Sequence, residues 1–134
     1  MNNYKIGIVT GSFDLLHIGH INLFKKAKQK CDHLIVAIHA DPSIERSGKN
    51  KPIESLLERQ IKLKACRYVD QIIVYETEAD LSIIFKYFHI DIRFLGSDSQ
   101  DGRKITDESV LPIEYIESLS IHTSDLRRRI NDSH

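Results

Sequence analysis

Apolar and polar positions change period along this chain, and the changes mark its elements. KIGIVTG at 5–11 is a short apolar run ending in glycine, the pattern of a buried strand. From 18 to 30 the spacing is helical: Ile18, Ile21, Phe24 and Ala27 fall near one face, with Lys25, Lys26 and Lys28 largely off it. HLIVAIH at 33–39 is apolar almost without interruption, which suits a strand covered on both faces. DPSIERSGKNKP at 41–52 is polar, holds two prolines and a glycine, and reads as a loop. Ser55 and Glu58 have the spacing of a capping box for a helix over about 55–66. QIIVY at 71–75 is a third strand, 79–88 a helix, DIRFLG at 91–96 a fourth strand and PIEYI at 112–116 a short fifth. A last helix starts near Thr123 or Ser124 as N-cap and runs to about Ile130.

Strands alternating with helices predict an α/β fold: a Rossmann-like, doubly wound parallel sheet of about five strands with helices on both faces. No repeat, low-complexity tract or linker interrupts the pattern, and residues 1–134 read as a single domain with one core. Ligands of such sheets lie at the carboxyl ends of the strands. GSFDLLHIGH (11–20), the 41–52 loop, GSD (96–98) and HTS (122–124) would converge there.

Composition narrows the function classes. Lys plus Arg equals Asp plus Glu at 19 each, so no global basic field favours nucleic acid. A small anionic ligand would need only a local basic cluster. The first residues, MNNYKIGIVTG, lack a signal-peptide apolar region, and no apolar run approaches the ~20 residues that span a bilayer. A cytoplasmic protein is expected. Cys31 and Cys66 show no CxxC spacing and read as reduced thiols at helix ends near the core.

His17 and His20 sit three apart around Gly19, at a strand-to-helix junction. A zinc site would want a third ligand; Asp14 could be recruited, but there is no HExxH and no cysteine partner. Packing alone explains poorly why both rings fall at the junction. A phosphate explains more, because the start of a helix attracts anions. Gly11 permits a tight turn, and Gly19 leaves room for a phosphate to approach the backbone. Two imidazoles could then donate hydrogen bonds as charge builds in a transition state. If the attacking group is itself a phosphate, it is already ionised and needs no general base. Rival phosphate loops are absent: there is no GxGxxG, and SGKN at 47–50 lacks the P-loop pattern.

GSFDLLHIGH resembles the HxGH motif of the nucleotidyltransferase superfamily, in its cytidylyltransferase branch. The leucines before His17 fit that branch, and RYVDQI (67–72) resembles its second hallmark. Length, spacing and LGSD (95–98) are most similar to the small bacterial glycerol-3-phosphate cytidylyltransferases. The resemblance implies that His17, His20 and Lys49 carry the reaction. It implies a nucleotide site made from Gly11, Ser12, Phe13, Asp14, Gly19, Lys51, Arg67, Gly96, Asp98, Thr123 and Ser124. Taken alone, Lys49 and Lys51 read as a solvated loop and Arg67 as an ion-pair partner of Asp70. Arg127, Arg128 and Arg129 read as complementing a helix dipole. Two departures stand out. Where the glycerol-phosphate enzymes have a segment resembling RTEGIS, this chain has ESLSIH (117–122), with Glu117 and Ser120 in place of an arginine and a glycine. The acceptor-binding lysine expected after the RYVD strand is replaced within ETEAD (76–80).

The activity so implied is transfer of CMP from CTP to glycerol 3-phosphate or another polyol or sugar phosphate, with release of pyrophosphate. Mg2+ is the implied cofactor and a homodimer the implied assembly. The alternatives are an adenylyltransferase using ATP on a sugar phosphate or FMN, and a nucleotide-binding module without turnover.

Overall fold

The computed structural model describes residues 4–97 and 111–118. Strand β1 (Tyr4–Gly11) leads into helix α1 (Ile18–Lys28) and strand β2 (Cys31–His39). A four-residue helix α2 (Pro42–Glu45) and helix α3 (Leu56–Lys64) precede β3 (Gln71–Tyr75). Helix α4 (Glu78–Tyr87), β4 (Ile92–Gly96) and β5 (Ile113–Ile116) follow. All four strand pairings are parallel, in the order β3-β2-β1-β4-β5. The α/β reading and nearly all element positions agree with the sequence pattern. The helix expected from Thr123 or Ser124 to about Ile130, with the three arginines, falls outside the described residues, as do Asp98 and Ser120.

Alternation along the central strands divides the core into two layers. Val9, Leu34, Val36 and Ile38 pack with Phe24 and Ala27 of α1 and Leu63 of α3. Ile8, Ile35 and Ala37 pack with Leu81, Ile84 and Phe85 of α4 on the other face. Helices thus cover both faces, which is why β2 is apolar from Leu34 to Ile38. Ile18, assigned to the apolar face of α1, is instead half exposed at its first turn. Gly7 is required by close approach: a Cβ there would lie 2.5 Å from the buried Phe94 ring.

The helix starts are locally encoded. Ser55 and Glu58 form the expected capping box. Thr77 and Asp80 form another at α4, from the same spacing. Inside the expected 41–52 loop, Asp41 caps α2 by accepting from Ser43 N–H, with Pro42 in the first turn. The turn chemistry was present in DPS and is too short to show a helical period. Cys66 follows α3, whereas Cys31 opens β2 rather than ending a helix; both thiols are buried. No helix among the described residues is long and apolar enough to cross a membrane.

Candidate active site

The carboxyl end of β1 turns sharply before α1. Phe13 and Leu15 both have positive φ, at 51° and 52°. Side chains other than glycine rarely adopt this conformation, and it persists only where surrounding contacts impose it. The contacts are visible. Both Asp14 carboxylate oxygens accept backbone N–H groups, from Ile53 and Glu54, each at 2.9 Å. Glu54 reciprocates, accepting from Leu15 N–H at 2.7 Å. Its other oxygen pairs with Lys62. Asp14 therefore acts as a buckle between the turn and the segment before α3, a structural part that the motif did not reveal.

Phe13 turns inward. It is 6% exposed and packs edge-on against His20 and Phe24, with centroids 5.6 and 5.3 Å away. Its side chain is thus not offered to a nucleotide; its backbone is what the turn can present. Gly11 contributes space rather than an unusual turn, since a Cβ there would lie 3.3 Å from the Phe13 ring.

The two histidines cap α1 reciprocally. His17 Nδ1 accepts from Gly19 N–H at 3.0 Å, and His20 Nδ1 accepts from His17 N–H at 3.1 Å. This is a capping box with imidazoles in both side-chain roles. A nitrogen that accepts a hydrogen bond carries no proton, so in each neutral ring Nε2 bears the hydrogen and is a donor. The rings lie 4.1 Å apart. Burial, and secondly His17, push the His20 pKa down to about 4. His20 is therefore a neutral donor near pH 7.

Beneath the turn lies a residue that motif reading missed. Arg59 is 2% exposed. Its guanidinium donates to the carbonyls of Ser12 (3.1 Å), His39 (2.9 Å) and Ala40 (2.7 Å). It ties the carboxyl ends of β1 and β2 together. Burial lowers its pKa, while Asp14, Asp41 and Glu54 favour the charge. The signal in the sequence is an arginine on the inward stripe of α3, at helical spacing from Leu56 and Leu63.

Lys49 and Lys51 are exposed on the segment between α2 and α3. Gly96 ends β4 beside β5, where Ser97 Oγ accepts from Ser118 N–H at 3.1 Å. Glu117, next in chain to Ser118, is exposed, and its carbonyl accepts from Asn22 of α1 at 3.4 Å. Arg67 is not brought to this end. It lies before β3, on the amino-terminal side of the sheet, with its guanidinium 5.5 Å from the Tyr68 ring. Nor does it pair with Asp70, which binds Lys28 at 2.7 Å and Leu34 N–H at 2.7 Å. RYVD thus fastens the α3–β3 turn to the start of β2.

Known proteins resemble this chain in sequence and in fold. The cytidylyltransferase-like family model matches residues 8–129. The bifunctional protein HldE of Campylobacter jejuni is 32% identical over 133 residues, 98% of this chain and 29% of that protein. An ethanolamine-phosphate cytidylyltransferase of Arabidopsis thaliana is 33% identical over 141 residues, 97% of this chain and 33% of the relative. An FAD synthase of Thermococcus sibiricus is 40% identical over 95 residues, covering 70% and 64%. The chain thus spans about a third of the length of the first two relatives. Among solved structures, a lipopolysaccharide core biosynthesis protein from Thermoplasma volcanium superimposes with a TM-score of 0.70. It is 24% identical, and the match covers 88% of this chain and 98% of that one, a likeness of fold.

Proposed function

We propose that this chain, which belongs to the cytidylyltransferase-like family, transfers CMP from CTP to a small phosphorylated alcohol and releases pyrophosphate. Nucleotidyl transfer is the chemistry of the family. The observation that carries the proposal here is the histidine capping box, which directs two neutral Nε2–H donors from one helix start. An acceptor phosphate oxygen attacks the α-phosphorus of CTP. The new P–O bond forms as the bond from the α-phosphorus to the bridging oxygen breaks, and pyrophosphate departs with that oxygen. His17 and His20 hydrogen-bond the phosphate oxygens, where they gain strength as negative charge shifts toward the leaving group. Lys49 and Lys51 neutralise the triphosphate from the loop. The residues serve mainly by position and electrostatics.

Magnesium fits as part of the substrate. Mg2+ is commonly held by one or two carboxylates plus substrate phosphates. Asp14, the carboxylate of the GSFD turn, has both oxygens engaged by backbone N–H groups. Magnesium would be carried mainly by the CTP phosphates, where it would offset their charge. A homodimer is part of the same proposal, and light scattering of the purified chain tests it.

The three relatives named above differ in name, and one of them names an acceptor, ethanolamine phosphate, so together they support the transfer and leave the acceptor to experiment. The FAD synthase likeness favours ATP as a second candidate donor. Pyrophosphate release is measured with each of the four nucleoside triphosphates against polyol, sugar and amino-alcohol phosphates. CTP should give the highest kcat/KM. Preference for ATP would replace the donor, and no release with any pair would overturn the proposal.

A further inference from the structure

The segment that carries Lys49 and Lys51 is tied down at both ends, and one of the ties lies outside every motif. Residues 47–51 are exposed and form neither helix nor strand. A Cβ on Gly48 would meet nothing among the described residues within 4 Å, so this stretch stands off the body of the protein. The carboxyl end of the segment is fixed by Asp14, which takes the Ile53 and Glu54 N–H groups. The amino end is fixed by a different grip. Two consecutive residues, Glu45 and Arg46, take hold of a single residue, Glu78, in the first turn of α4. The Glu45 carboxylate accepts from Glu78 N–H at 2.9 Å, and a negative charge suits that helix start. The Arg46 guanidinium lies 3.3 Å from Glu78 Oε1. The two side chains of this pair are only 22% and 14% exposed, so solvent screens it less than a surface pair. Arg46 passes the grip on through its backbone. Its N–H donates to the Pro42 carbonyl at 3.0 Å, and its carbonyl accepts from Lys49 N–H at 3.1 Å.

We propose that Glu78 is a positioning residue for nucleotide binding: through Arg46 it fixes where the lysine segment begins, and so aims Lys49 and Lys51 at the triphosphate. This rests on the part given to the two lysines under nucleotidyl transfer. A helix as short as α2 is not stable by itself and takes its position from its contacts. Arg59 holds the Ala40 carbonyl just before α2, and Asp41 caps its start. The grip on Glu78 fixes its end, and the backbone bond from Arg46 reaches Lys49 directly. The benefit is entropic. A lysine on a chain tethered at one end samples many directions, and ordering it on a ligand weakens binding. Tethering the chain at Arg46 and at Ile53 confines the lysines beforehand. The Glu78 carboxylate would repel a triphosphate if it faced one; here it is turned to Arg46 instead. Glu78 thus acts on the nucleotide only through the lysine segment.

The test is the affinity for CTP with magnesium, measured by calorimetry without an acceptor, so that it does not depend on turnover. Glu78→Ala and Arg46→Met should each raise the dissociation constant about fivefold or more. Arg46→Lys, which keeps the charge, should stay closer to wild type than Arg46→Met. The Glu78→Ala and Arg46→Met changes together should do no more than either alone, as expected of two partners in one contact. In a Lys49→Met/Lys51→Met background Glu78→Ala should have no further effect, because nothing is left to aim. An equal loss in that background would make Glu78 a prop for the whole site and overturn the inference. Wild-type affinity in Glu78→Ala would overturn it as well. If the variant lacking both lysines binds CTP as wild type does, the inference falls with the lysines, while the role of the histidines stands. If no acceptor releases pyrophosphate, the transfer proposal fails alone, since the affinities still decide the positioning.

Discussion

Each HxGH histidine has two duties, and substitution can separate them. Nδ1 of His17 caps α1, and Nε2 is the proposed phosphate donor. Asparagine can supply an acceptor for the cap without the Nε2 donor. His17→Asn should therefore keep most of the stability and lose turnover by about 100-fold or more. His17→Ala should lose turnover similarly and about 1 kcal/mol of stability as well. Urea unfolding and steady-state rates on the same samples separate the two. An Asn variant with turnover within a few-fold of wild type would remove His17 from the chemistry.

His20 makes the fold itself sensitive to acid. Its folded pKa of about 4 lies below the ordinary value of 6.5. The unfolded chain thus binds more protons between those values. The stabilisation is full above about pH 6.5 and is lost as pH falls toward 4, on the order of 3 kcal/mol. His20→Asn lacks that proton site. Wild type should lose more stability than the variant between pH 7 and 4, read by urea unfolding at each pH. Equal losses would mean that His20 is not held neutral by burial.

At the scale of elements, periodicity revealed strands and helices well because each must bury a face. Residues 71–75 were recognised to the residue because QIIVY has polar punctuation on both sides. The α2 helix was missed because four residues cannot show a 3.6-residue period, although Asp41 and Pro42 carried its start. Motif resemblance pointed to the histidines, and it did not show the structural surroundings of Asp14 and Arg67. A motif records which residues recur, not which atoms are already engaged: Asp14 is spent on backbone N–H groups, and Arg67 sits at the wrong end of the sheet. Arg59 stayed hidden because its role appears only when β1 and β2 are side by side. Removing it leaves the Ser12, His39 and Ala40 carbonyls without this donor. Arg59→Met should cost about 3 kcal/mol, since hydrogen bonds to charged groups contribute roughly 1.5–3 kcal/mol each. Turnover should fall beyond what unfolding explains, because the GSFD turn loses its anchor. Unchanged stability by urea titration would contradict that role.

For the molecule as a whole, the parallel sheet gathers the ends of β1, β2 and β4 at one rim, with β1 and β4 paired between residues as far apart in sequence as Val9 and Phe94. Lys49 and Lys51 lie on the exposed segment that ends on Asp14 of the GSFD turn, and the proposal has that segment close over the nucleotide. Saturating CTP and magnesium should slow hydrogen exchange over residues 44–52, with smaller effects on α4. Unchanged exchange in that segment would leave the lysines as solvated loop residues. The central claim is that the bond broken lies between the α-phosphorus and the pyrophosphate of CTP. It is tested by supplying CTP labelled at the α- or the γ-phosphorus, with magnesium and the best acceptor of the panel. The α-label should appear in the acceptor product and the γ-label in pyrophosphate, both slowed about 100-fold or more in His17→Asn. Release of the γ-label as inorganic phosphate, with the α-label never reaching the acceptor, would contradict the account.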